Sequence, residues 1–318
     1  MTAHRPPDRD SVLLSPAGLA ALLAPRDTAV APDVLVLDAT ALLARPEHDG
    51  DYRARSGSSA WAQAHIPGSL HVDLYTRFTD PAAPYHFGRP GRDAARRELA
   101  ALGAGPGTTV VLYDQGPLQW ATRLWWTLRD AGLDARVLDG GLPAWRAAGH
   151  GVAGPPSRQR HSPGGDGAPF PDAAAGDTRR PSLWADKEDV RALSEGRAPG
   201  TLVCALGPEH FEGTAPTRYT RRGRIPGSVN LPAHPVLAPD GTVRPTPELA
   251  SYAEALPSPA EGPVVIYCGG GISATLTALA LTLTGRTDVR VYDGSLEEWT
   301  ADPGLPLVTG ARVEAALG

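Results

Sequence analysis

Residues 264–303 read VVIYCGGGISATLTALALTLTGRTDVRVYDGSLEEWTADP, and this stretch decides the fold. VVIY (264–267) is apolar throughout, as a strand buried on both faces must be. Three glycines follow, then a helix-length run from Ser273 to Thr284, then VRVY and a glycine turn. Strand, helix and strand joined by tight loops point to a parallel sheet covered by helices. The same pattern stands earlier in the chain. Residues 110–149 read VVLYDQGPLQWATRLWWTLRDAGLDARVLDGGLPAWRAAG. At a constant offset of 154, Tyr113 meets Tyr267, Asp114 meets Cys268, Asp139 meets Asp293 and Trp145 meets Trp299. Upstream, His65-Ile66-Pro67-Gly68-Ser69 recurs as Arg224-Ile225-Pro226-Gly227-Ser228, and Val36-Leu37-Asp38-Ala39 is echoed by Leu202-Val203-Cys204-Ala205. Motifs repeated in one order amount to a duplicated domain.

The expected architecture is therefore α/β, with two tandem domains over 15–149 and 182–310. Each is a mainly parallel sheet flanked by helices. Ser15-Pro16 reads as N-cap and first residue of a helix over GLAALLA. Between the domains, 150–181 contains PPSRQRHSPGGDGAP, lacks apolar periodicity and reads as a linker.

Composition agrees with that reading and narrows the function. The 318 residues suit roughly two domains at about 150 residues each, and 42% hydrophobic residues supply a core for both. Gly (36) and Pro (33) exceed the ordinary ~12% share, an excess expected in loops. A net charge of −5 argues against a nucleic-acid binder. Lys187 is the only lysine, so the abundance of arginine reads as compositional bias, and a given arginine is a weak sign of anion binding. No apolar run approaches the ~20 residues of a bilayer span. The start, MTAHRPPDRD, is not that of a signal peptide. Two cysteines 64 residues apart make no disulfide framework. A cytoplasmic protein without a membrane partner is expected.

Cys268 carries the chemistry. A parallel strand delivers it to the carboxyl edge of the sheet, where open α/β sheets place their ligands. Gly269, Gly270 and Gly271 let the backbone curl so that several amides point at one atom, and the helix from Ser273 directs its positive end there. An ordinary cysteine is only about 3% thiolate at pH 7. A helix terminus supplies about 0.3–2 kcal/mol of anion stabilisation, so convergent loop amides must provide more. Cys204, inside an apolar run, reads as a core thiol. Trp125, Trp126, Trp145 and Trp299 read as packing residues.

Tyr267-Cys268-Gly269-Gly270-Gly271-Ile272-Ser273 resembles the active-site loop of the rhodanese family of two-domain sulfurtransferases. HIPGS, VLDGGLPAW and VYDGSLEEW are similar to that family's other signatures, in the right order and in both halves. The likeness spans nearly the whole chain except 1–14 and the linker. It implies a cysteine that takes a sulfane sulfur from a donor as a persulfide and passes it to cyanide, a small thiol or thioredoxin, with neither cofactor nor metal. It also implies that the first domain has lost its cysteine, and Asp114 stands in that place. The uncharged loop is more similar to the mercaptopyruvate type, CGSGVT, than to the thiosulfate type, CRKGVT, so 3-mercaptopyruvate is the favoured donor and thiosulfate the second.

The resemblance also assigns the substrate site to Gly269, Gly270, Gly271, Ile272 and Ser273, with Arg218 as the cation for the donor. Arg221, Arg222 and Arg224 are nearby alternatives, and His65 is either structural or an interface residue near the thiol. Three departures stand out. The family's DAR motif reads Cys204-Ala205-Leu206, the loop serine is Gly270, and the second HIPG histidine is Arg224. Leu206 favours an alternative in which the chain is a non-catalytic module that binds or carries sulfur. A cysteine phosphatase needs an arginine six residues after its cysteine, and position 274 is alanine.

Overall fold

A computed structural model describes residues 7–25, 33–155, 170, 181–254, 256–257 and 262–310. Most of the expected 150–181 linker lies outside the described residues. The first half contributes β1 (Leu13–Leu14), β2 (Val34–Asp38), β3 (Ala41–Leu43), β4 (Ala54–Ser56), β5 (Leu70–His71), β6 (Thr109–Tyr113) and β7 (Arg136–Leu138). The second contributes β8 (Trp184–Ala185), β9 (Thr201–Cys204), β10 (Val229–Asn230), β11 (Val264–Tyr267) and β12 (Val289–Tyr292). Two five-stranded sheets result, ordered β1-β7-β6-β2-β5 and β8-β12-β11-β9-β10, with every pairing parallel. The orders coincide under the sequence repeat. The antiparallel hairpin β3–β4 belongs to the first half alone.

The pattern of apolar residues explains how the halves meet. In the helix Ser273–Leu283, every residue from Ala274 onward is buried. The helix Gln119–Asp130 is buried at ten of its positions. A helix that is apolar all round must be covered all round. Each lies between its own sheet and the other helix, and Thr122 Oγ1 meets Thr275 Oγ1 at 3.0 Å across the contact. One apolar cluster runs through both halves here, while the outer face of each sheet has its own. Among the described residues no helix is long and apolar enough to cross a membrane. Ser15 caps the helix Pro16–Leu23 through Gly18 N.

The repeated motifs fasten strand ends. Tyr113 Oη receives Ile66 N and bonds Ser69 Oγ, and Tyr267 Oη does the same with Ile225 N and Ser228. Each Ile-Pro-Gly-Ser turn is thus pinned to the tyrosine that ends the central strand. The residue before each turn, His65 or Arg224, exchanges two backbone hydrogen bonds with the tail of its half, at Ala153 or Val308.

Asp114 shows what the loop after that tyrosine demands. Its Oδ1 accepts from Gly116 N and Leu118 N, and its Oδ2 from Trp120 N and Ala121 N, at 2.9–3.1 Å. The carboxyl is fully buried; burial raises its pKa, and the hydrogen bonds from Ala121, Gly116 and Trp120 N pull it back. Asp114→Ala leaves those amides without an acceptor, and buried unpaired donors cost about 1–3 kcal/mol apiece before relaxation. A loss of roughly 3 kcal/mol or more is expected in urea unfolding, concentrated in the first half.

Candidate active site

Cys268 is the first residue beyond β11, at the sheet edge, and only 2% of it is exposed. Its side of the loop nevertheless opens on a cavity of about 630 Å³ between the two halves. Gly269, Gly270, Ile272 and Ser273 line the same cavity, as do Gly116 and Trp120 from the equivalent loop of the first half. Both loop-and-helix starts therefore look into one space.

The loop is held from behind by Ser295. Its Oγ accepts from Cys268 N at 3.1 Å and Gly271 N at 3.0 Å and donates to the Tyr292 carbonyl. This serine has φ +47, in the left-handed region that favours glycine, and its counterpart Gly141 has φ +57. Gly271, at φ +69, could not carry a side chain: a Cβ would fall 2.5 Å from the Asp293 carbonyl oxygen. Cys268 N and Gly271 N are therefore occupied by Ser295 and are not among the amides left for the sulfur. Among the described residues the amides of Gly269, Gly270, Ile272 and Ser273 have no protein acceptor, and the helix has no side-chain cap. Buried N–H groups at a helix start form an anion site. In the sister loop the counterparts of two of these amides, Gly116 N and Leu118 N, donate to the Asp114 carboxylate.

Of the four arginines singled out by sequence, the structure brings only Arg218 to the cavity. Its Nε and Nη2 donate to the Ala44 carbonyl in the first half, and burial draws its pKa down from the ordinary arginine value. Arg222 turns outward to pair with Asp49 at 2.8 Å. Arg221 donates to the carbonyls of Trp299, Thr300, Asp302 and Leu305. Arg224 lies over the Phe211 ring and donates to the carbonyls of Phe211 and Gly310. His65 is not a cavity residue either. It stacks on Trp61 at 4.2 Å with Nδ1 at the Trp61 carbonyl, so the interface role is replaced by a packing one. Cys204 is fully buried and its thiol is pushed up to about 12 by desolvation.

Several site residues escaped sequence reasoning. Arg123, inside the apolar helix of the first half, reaches across to the Gly271 carbonyl and to Asp293 Oδ1 at 2.6 Å. Those two side chains are 4% and 3% exposed, and the guanidinium also covers the Trp184 ring at 4.4 Å. Tyr85 Oη and Arg89 N donate to the other oxygen of Asp293. Glu297 lines the cavity with Oε1 against His86 N and Nδ1, and burial raises its carboxyl. Its Oε2 lies 3.3 Å from where a Cβ at position 270 would stand, which is why a glycine fits there. The one hint in the sequence was an arginine in the middle of a helical run rich in leucine and tryptophan. Leu206 lines the cavity where the resemblance predicts an arginine. Among the described residues no cluster of His, Cys, Asp and Glu could hold a metal ion.

With this geometry in hand, comparison with known proteins is informative. A family model described as "Rhodanese-like domain" matches residues 39–148 and 208–302. The 3-mercaptopyruvate sulfurtransferase of Homo sapiens is 32% identical over 251 residues, 77% of this chain and 80% of that one. The thiosulfate sulfurtransferase of Bos taurus is 31% identical with the same coverage. Likeness so evenly divided does not choose a donor. The crystal structure of SseA from Escherichia coli, described as a "Rhodanese" fold, matches with TM-score 0.66 over 90% of this chain and 98% of its own, at 24% identity.

The Arg123–Asp293 pair is the support of the loop that can be tested most directly. Removing one partner of a buried pair strands the other and costs about 3–5 kcal/mol. Arg123→Gln is therefore expected to lower stability by that order in denaturant unfolding. Below the unfolding transition, Cys268 should be alkylated faster than in the parent, because Gly271 loses a tether.

Proposed function

The chain belongs to the family of rhodanese-like domain proteins, and from that premise we propose that it is a sulfurtransferase working through a Cys268 persulfide, from 3-mercaptopyruvate or thiosulfate to a thiophilic acceptor such as cyanide, a small thiol or thioredoxin. The observation that carries this reading is the lone thiol beside unoccupied backbone amides at a helix start, open to a cavity between the halves.

In the first step the Cys268 thiolate attacks the donor's sulfur. With 3-mercaptopyruvate the carbon–sulfur bond breaks, its electrons remain on the carbon, and the enolate of pyruvate leaves. With thiosulfate the sulfur–sulfur bond breaks and sulfite leaves. The amides of Gly269, Gly270, Ile272 and Ser273 would stabilise negative charge on the sulfurs, as fixed dipoles in a dry site do well. Arg218 would hold the donor's carboxylate or sulfonate through a charge-assisted hydrogen bond. An acceptor then attacks the outer sulfur and Cys268 departs as thiolate. Arg222 and His65 take no part in this step, since the first pairs with Asp49 and the second bonds the Trp61 carbonyl.

Charge favours the organic donor. Arg218 is the one guanidinium among the described residues lining the cavity, and Glu297 and Leu206 share its walls. A dianion gains less there than a monocarboxylate with a reactive thiol.

Incubation with 3-mercaptopyruvate should add one sulfur atom to Cys268 by mass spectrometry, and cyanide should remove it as thiocyanate. Cys268→Ala should lose both. Turnover that survives Cys268→Ala would end this reading, and an adduct that no acceptor discharges would favour the sulfur carrier suggested by Leu206. Leu206→Arg supplies a second cation, worth about 1.5–3 kcal/mol when it meets an anion. It should lower KM for thiosulfate roughly tenfold or more while helping 3-mercaptopyruvate less.

A further inference from the structure

The cavity is larger and more apolar than either donor requires. At about 630 Å³ it falls within the roughly 300–1,000 Å³ of sites that enclose drug-sized ligands. Thiosulfate and a three-carbon mercapto acid have only a handful of non-hydrogen atoms. Much of the remaining wall is carbon: Leu42 and Leu43 from the hairpin β3–β4, Tyr52, Trp120, Leu206 and Ile272. Leu42 is 43% exposed, one of few large apolar side chains left so open among the described residues. The hairpin that presents it has no counterpart among the described residues of the second half. It is tied to the second half through its own connection, by the Ala44 carbonyl on Arg218 and by Asp49 on Thr217 N. The apolar wall is thus fixed beside the cavity's guanidinium.

We infer that the sulfur acceptor is a bulky organic thiol with one carboxylate, bound by Arg218, and an apolar or aromatic body laid against the β3–β4 wall. This rests on the sulfurtransferase reading and adds its second substrate. The charge pattern sets the anionic valence. One guanidinium pairs with one carboxylate; the other basic side chain of the lining, His210, lies 3.4 Å from Glu209, the loop amides serve the sulfurs of the persulfide, and Glu297 opposes a second negative group. The donor is small, so the space is left for the molecule that enters after the persulfide has formed. Transfer is balanced without an oxidant. The acceptor thiolate attacks the outer sulfur of the Cys268 persulfide, a new sulfur–sulfur bond forms, the old one breaks, and Cys268 leaves as thiolate. The proton of the persulfide stays on the transferred sulfur.

Two acceptors that differ only in their body provide the test: 2-mercaptopropanoate and 2-mercapto-3-phenylpropanoate. The full-length protein is charged with 3-mercaptopyruvate, freed of donor, and discharged with each while the Cys268 adduct is followed by mass. Burial of a phenyl group predicts that the phenyl acid discharges it about tenfold or more faster. Leu42→Asp, on an exposed edge, should still form the adduct but bring the ratio of the two rates near one. Equal rates in the parent, or an unchanged ratio in Leu42→Asp, would overturn the acceptor assignment and leave the sulfurtransferase reading intact. So would discharge by reduced thioredoxin with no response to either acid. If no adduct forms on Cys268 with any donor, both readings fall together.

Discussion

Backbone N–H groups buried at the start of a helix must find an acceptor, and this protein meets the demand in two ways. In the first half the chain supplies the acceptor itself: the two oxygens of Asp114 take four amides. In the second half the equivalent position is Cys268, whose sulfur is a far weaker acceptor. Ser295 takes two of the amides there and others face the cavity unpaired. The same local geometry is therefore closed and structural in one copy, open and available in the other. Burial makes the difference consequential, because an unpaired donor in a dry site costs more than one in water.

The openness would be of little use if the loop could rearrange to satisfy itself, and the interface prevents that. Asp293, at the end of β12, is held by Arg123, Tyr85 and Arg89 of the first half. Its counterpart Asp139 accepts from Val243 N of the second half at 2.7 Å and pairs with Arg9. Each half thus anchors the turn after the other half's strand. Arg123 also holds the Gly271 carbonyl, so the loop's path is fixed from the far side of the interface.

Most of the architecture was legible because it rests on local patterns written twice. The constant offset between Asp114 and Cys268 carried the duplication and the two parallel sheets with their helices, while the strand order and the packing of the two helices on each other came from the structure. The position of Cys268 followed from an apolar strand running into glycines. What remained hidden depends on contacts between segments distant in sequence. Arg123 sits in a run that reads as helix packing, and its partners are Gly271 and Asp293, some 150 residues away. Glu297 looks like any charged residue near the end of a motif, until His86 and Gly270 close around it. The cluster of arginines after Thr217 illustrates the same limit. Four cations within seven positions look interchangeable, yet the fold turns one inward and assigns the others to carbonyls or to Asp49. For His65 the structural alternative is the one the fold uses: its side chain bonds the Trp61 carbonyl, and the turn that follows is pinned to Tyr113.

These contacts also explain why a duplicated domain that lacks the cysteine remains part of the site. The cavity's far wall, the hairpin β3–β4, the carbonyl that orients Arg218 and the guanidinium that holds Gly271 all come from the first half. A single sheet with its loop would leave the buried helix Ser273–Leu283 exposed on one side and the Cys268 loop without its support. The proposed chemistry needs one sulfur only, and the cavity that sulfur faces is walled in large part by the half that has an aspartate in its place.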